Sequence, residues 1–172
     1  MSMKAYIATL EAAGKLRRFV PRSRQAPKRR LYLADLATRE FDDPSSATNV
    51  LVGKGFIESS MTRWVLGERV YGDARKGRFL TRLRAPPPEI WEIRVTEPVT
   101  QARLLGRFAE PNTLVLIKLH TRRYLGKSGS DAWSGAMAEC HDWWSNAFPA
   151  VELFSASDVH AYVTENCDDF PI

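Results

Sequence analysis

The residues best suited to chemistry cluster at the ends of three short apolar stretches. Between residues 89 and 124 the chain reads EIWEIRVTEPVTQARLLGRFAEPNTLVLIKLHTRRY. This segment supplies Glu92, Arg94, Arg103, Arg107, Lys118, His120, Arg122, Arg123 and Tyr124. Such a set suits a phosphate group. Cleaving RNA without a metal requires a base to take the 2′-hydroxyl proton, a cation to neutralise the phosphorane and an acid to protonate the leaving oxygen. Arginines can do only the second task, because they stay protonated at neutral pH. His120 has the reference pKa that suits proton transfer, Tyr124 can donate a hydrogen bond or a proton, and Glu92 is a further base if it shares a face with Arg94. The candidate catalytic residues are therefore His120, Tyr124, Arg94 and Arg103, and Arg107, Lys118, Arg122 and Arg123 are candidate nucleic-acid contacts.

The elements that must position these groups follow from hydrophobic period. Alternation puts Trp91, Ile93 and Val95 on one face of a strand, with Ile90, Glu92 and Arg94 on the other. A second strand near 102–108 sets Leu104 and Phe108 against Arg103, Leu105 and Arg107. The third, 113–120, is almost wholly apolar, as a strand covered on both faces should be. Turn signals at 96–100 and at Glu110-Pro111-Asn112 predict antiparallel pairing. Ser130 is placed to cap a long helix whose apolar stripe runs through Trp133, Met137, Cys140, Trp144 and Phe148 before Pro149.

Ahead of this region the spacing predicts helices over 4–19, 31–41 and 56–65, with Trp64 in the core. Arg75, Lys76, Arg78, Arg82 and Arg84 ring Phe79, Leu80 and Leu83, which suggests a basic strand or irregular edge. Beyond the long helix, a last strand at 151–154 and a short helix from Ser157 to Asn166 are expected. The sequence divides into an N-terminal helix with a basic arm, 1–30, and a single α+β domain, 31–172, with an acidic C-terminal segment.

Charge is distributed unevenly along the 172 residues. All 25 Lys and Arg residues fall at or before Lys127 with 12 of the 20 acidic ones, a balance of +13, leaving −8 for 128–172. A basic front of this kind suggests a polyanionic partner. Arg22, Arg24, Lys28, Arg29 and Arg30 lie among two prolines with little apolar content, and they are expected to track a phosphate backbone. The acidic tail is expected to fold back near the basic front and weaken anion binding, so that truncation after Pro149 would tighten it. Two cysteines and three scattered histidines cannot supply a metal cage, and no cofactor motif is present, so neither metal nor cofactor is expected. With no long apolar run and no signal-peptide core, the expected place is the cytoplasm and no membrane partner is expected.

The succession Ile90-Trp91-Glu92-Ile93-Arg94-Val95, then Ala102-Arg103-Leu104-Leu105-Gly106-Arg107-Phe108, then Leu114 through Arg123 resembles the RelE/ParE toxin superfamily over roughly residues 55–148. The resemblance implies helices packed on a small antiparallel sheet and, in the RelE branch, ribosome-dependent cleavage of mRNA. It maps Arg94 and Arg103 onto the arginines of the first two strands, and Arg122 and Arg123 onto a basic pair. The chain departs from the pattern at Leu119-His120-Thr121, where an aromatic is usual, in about 50 residues ahead of the matched part and in its acidic tail. The expected function is thus a RelE-like toxin-type endoribonuclease or RNA-binding protein acting on mRNA, with RNA, the ribosome and an antitoxin as partners. The alternative is a noncatalytic nucleic-acid-binding or assembly protein, phage-encoded, using such a fold as a scaffold.

Overall fold

The computed structural model describes residues 2–72 and 78–172, so the expected basic-ring members Arg75 and Lys76 lie outside the described residues. The architecture is α+β: a six-stranded sheet in the order β1-β2-β6-β5-β4-β3 with helices on both faces. The strands are β1 (Leu16–Arg18), β2 (Arg30–Ala34), β3 (Leu80–Arg82), β4 (Trp91–Val95), β5 (Ala102–Glu110) and β6 (Thr113–Thr121). All neighbours pair antiparallel except β2 and β6, which are parallel. The sheet is therefore mixed and larger than the small antiparallel one expected.

The difference arises at the N-terminal end. Helix α1 (Met3–Ala12) stops early because Gly14 takes a left-handed backbone (φ 68°), and the chain re-emerges as edge strand β1. Leu31, Tyr32, Leu33 and Ala34 are all buried, and a run buried on both sides is best satisfied as a strand, so the expected helix 31–41 splits into β2 and α2 (Asp35–Asp42). The first 30 residues thus give α1 and an edge strand to the sheet, and residues 22–28 between β1 and β2 have no regular structure.

One face carries α2, α3 (Ala47–Leu51) and α4 (Lys54–Val65), packed through Phe41, Ile57, Met61 and Trp64 onto Trp91, Leu104, Phe108 and Leu116. The last residues close this face, because Phe154, Tyr162, Val163 and Phe170 belong to the same core. Residues 151–154 form no strand, and the expected terminal helix is the short α7 (Val159–Tyr162), capped by Asp158 instead of Ser157. The other face is covered by α1 and by α6 (Asp131–Ala147), which Ser130 caps through the Trp133 amide. The stripe expected on α6 is buried as read: Trp133, Met137, Cys140, Trp144 and Phe148 all lie in the second core.

One irregularity decides which residues reach the α6 face. Leu105 pairs with Lys118 but Gly106 pairs with Leu116, so Ile117 is an extra residue in β6. This bulge moves Lys118 and His120 to the side of Arg103, while Leu119 stays with Leu116 in the first core. Gly106 is required there, since a Cβ would stand 2.0 Å from the Val115 carbonyl oxygen. No helix among the described residues is long and apolar enough to cross a membrane.

Candidate functional site

Cross-strand register aligns Arg94 of β4, Arg103 of β5 and His120 of β6 in one row on the α6 side of the sheet. Glu92 lies two residues from Arg94 and so shares this face. Its carboxylate is clamped. Arg94 Nε donates to Glu92 Oε1 at 2.7 Å, and Arg103 Nε stands 3.3 Å from Oε2. The second contact is an ion pair without hydrogen-bond alignment, so Oε2 has no donor aimed at it although Glu92 is only 1% exposed. Arg103, 5% exposed, also donates to the Ala102 carbonyl and to Gln101 Oε1. Burial lowers its pKa from the ordinary value, Glu92 offsets this, and Arg94 and Arg122 add to the lowering.

These groups open into a cavity of about 140 Å³ walled by Arg84, Arg94, Arg103 and Arg122, with Ser128, Trp133 and Ser134 on the α6 side. Four arginines and one carboxylate, Glu92, line it. Arg122, the first residue of the short helix α5 (Arg122–Leu125), lies over the Trp133 ring at 6.0 Å. The Trp133 indole N–H is buried without a partner. The positive end of the α6 dipole lies beside the same space, since Ser128, Trp133 and Ser134 bracket the helix start. A cleft with excess positive charge and two hydroxyl side chains in its lining can accommodate an anion.

No protein-family model, curated protein or solved structure matches this chain. What the cleft does must be read from its own groups.

The arginines expected at the site divide into three sets. Arg94, Arg103 and Arg122 come together around the cleft, and Arg123 is exposed beside it in sequence. Arg22, Arg24 and Lys28 are exposed on the irregular stretch before β2, and Arg30 pairs with Glu110 at 3.1 Å. Arg29 and Arg107, by contrast, are withdrawn from any nucleic-acid surface. Arg29, 3% exposed, lies over Trp64 and donates to the carbonyls of Glu68 and Glu165, tying the tail to the front of the chain. Arg107, 1% exposed, donates to the Pro88 carbonyl and contacts His141 Nδ1 at 3.2 Å. Alternation alone placed Arg107 beside Arg103 on the correct face, but α6 covers that end of the strand. Lys118 is held by Glu139 of α6 at 2.5 Å.

His120 and Tyr124 stack on each other, with ring centroids 4.9 Å apart and planes 21° from parallel. Neither lines the arginine cleft. Tyr124 is 62% exposed, whereas burial, followed by Lys118, lowers the His120 pKa below its usual 6.5. At neutral pH His120 is therefore an uncharged imidazole that can accept a proton but holds none to give. Arg84, Trp133 and Ser134 were not singled out from sequence as site residues. Trp133 opens the apolar stripe of α6, and nothing in its spacing tells that it also lines a cavity.

Proposed function

We propose that the protein binds RNA, taking a backbone phosphate in the cleft of Arg84, Arg94, Arg103 and Arg122. The convergence of these four side chains from β3–β4, β5 and α5 around one buried carboxylate is the observation that carries this reading. The basic balance of residues 1–127 and the exposed Arg22, Arg24 and Lys28 support a ligand longer than one phosphate. Fluorescence anisotropy with a single-stranded oligoribonucleotide at several salt concentrations tests it. Each phosphate contact adds about 0.7 to the slope of log K against log salt. Arg122→Ala should weaken binding and lower that slope by about 0.7, and an unchanged affinity and slope would sink the proposal.

A RelE-like endoribonuclease acting on mRNA is the second reading, and Glu92 Oε2 favours it. That oxygen is buried with no hydrogen bond aligned to it, beside guanidinium groups able to neutralise a phosphorane. It would take the 2′-hydroxyl proton. Against this reading stand His120 and Tyr124, whose stack lies outside the cleft and leaves the leaving oxygen without an evident acid. Mapping mRNA ends with and without ribosomes separates the two: new ends that vanish in Glu92→Gln support cleavage, and unchanged ends leave binding alone.

A further inference from the structure

A second cavity, of about 370 Å³, adjoins the arginine cleft, and the two share Leu83, Arg84, Arg94 and Ser128. One wall is β3, through Leu80, Thr81 and Arg82. The end of the acidic tail, Phe170, Pro171 and Ile172, also lines it.

This tail wall is held in place from several sides. Arg69 Nη2 meets Asp168 Oδ1 at 2.6 Å. The Val70 amide donates to the Asn166 carbonyl and the Asp168 amide to the Val70 carbonyl, each at 3.0 Å. Phe170 lies directly on Gly72, where a Cβ would come within 2.0 Å of its Cγ. The aromatic ring is thus set against backbone on one side and contributes to the cavity wall. On β3, Arg82 is held in place, its guanidinium donating to Glu89 Oε1 at 3.2 Å and to the Ala156 carbonyl at 2.9 Å.

The cavity therefore offers an aromatic surface and apolar side chains, immediately beside a site shaped for phosphate. A flat group with apolar faces and polar edges, covalently tied to a phosphate, matches that combination. We propose that the second cavity is a nucleobase subsite, with Phe170 as the stacking surface. The base belongs to the nucleotide whose phosphate occupies the arginine cleft, so the inference rests on the RNA-binding reading above. In this arrangement the tail is part of the binding site and not a competitor for it.

Two probes test the subsite on the full chain: a fluorescent single-stranded oligoribonucleotide and an abasic ribose-phosphate oligomer of equal length. Phe170→Leu keeps apolar cover over Gly72 and removes the aromatic face. It should weaken the base-bearing probe about 10-fold, within the range expected for loss of one base–aromatic stack, and leave the abasic probe unchanged. Arg122→Ala should weaken both probes equally. If Phe170→Leu affects both probes alike, or neither, the subsite is wrong and the phosphate reading stands. If the unaltered protein binds neither probe, both readings fall.

Discussion

Replacing Glu92 with glutamine removes the one negative charge from the cleft and leaves Arg103 in the interior with two neutral acceptors, Gln101 Oε1 and the Ala102 carbonyl. The side chains of Glu92 and Arg103 are 1% and 7% exposed, so the pair is buried, whereas Arg94 is 29% exposed and can turn toward water. Breaking a buried pair by altering one partner costs about 3–5 kcal/mol, because the surviving charge cannot be rehydrated. Arg94→Ala removes the one aligned hydrogen bond to Glu92, but Arg94 is itself partly solvated and Arg103 still pairs with the carboxylate, so the loss is about 1.5 kcal/mol, the low end for a hydrogen bond to a charged group. With a urea dependence of about 2 kcal/mol per molar, Glu92→Gln and Arg103→Met should each lower the unfolding midpoint by about 1.5–2.5 M, and Arg94→Ala by about 0.75 M. The double variant Glu92→Gln with Arg103→Met should cost clearly less than the two single changes together, since neither leaves a lone charge in it. The same Glu92→Gln protein should bind RNA more tightly at low salt, in proportion to the lost repulsion. A Glu92→Gln midpoint within 0.5 M of the unaltered protein, or an Arg94→Ala loss as large as that of Arg103→Met, would refute the clamp.

Other outcomes follow from groups away from the clamp. Because the pKa of His120 is lower when folded than the unfolded 6.5, the unfolded chain binds more protons as pH falls below about 6.5, so stability should drop with acidification from about 6.5 down to the folded pKa and be unaffected at pH well above 6.5. Urea midpoints from pH 5 to 8 should show a shallower slope in His120→Gln, and an identical slope would mean that burial does not hold the imidazole neutral. Burial pushes the Cys140 thiol up to about 12 and the Cys167 thiol up to about 11, so a thiol reagent at pH 7.5 should leave Cys140 unmodified in the native protein and label Cys167 slowly. Mass spectrometry showing fast native labelling of Cys140 would contradict its placement. Truncation after Pro149 removes Phe154, Tyr162 and Phe170 from the first core, together with the Tyr162 and Ser155 hydroxyls that donate to buried Glu89. The shortened chain should lose cooperative unfolding by circular dichroism instead of gaining affinity for RNA, which reverses the expectation drawn from the charge of the tail alone.

The sheet centre was legible in the sequence because its signals are local. Trp91, Ile93 and Val95 alternate as a half-buried strand must, and the cap at Ser130 with its i, i+4 stripe announces α6. Leu31 to Ala34 misled because four apolar residues in a row fit a helix or a doubly covered strand equally well. The choice was made by β6, about 80 residues away in the chain. Burial of Arg107 and Arg29 was equally hidden, since the partners that absorb them are carbonyls and rings from distant segments. The bulge at Ile117 is the reason that Lys118 and His120 share a face with Arg103, and alternation counted through β6 would have put them with Leu116 instead.

The parallel pairing of β2 with β6 has a consequence for the order in which the chain assembles. Strands β4, β5 and β6 follow one another through short turns and can pair as soon as they exist, but β2, which can pair with β1 at once, must wait for β6 to be synthesised before its other edge is covered. On a chain made from its N-terminus, the apolar stretch from Leu31 to Ala34 therefore spends the time needed to build roughly 80 further residues with one edge unpaired. At about 5–20 residues per second that interval lasts seconds. The dense basic run from Lys15 to Arg30 directly precedes this stretch, and its mutual repulsion is well placed to keep nascent copies from pairing through β2 in the meantime.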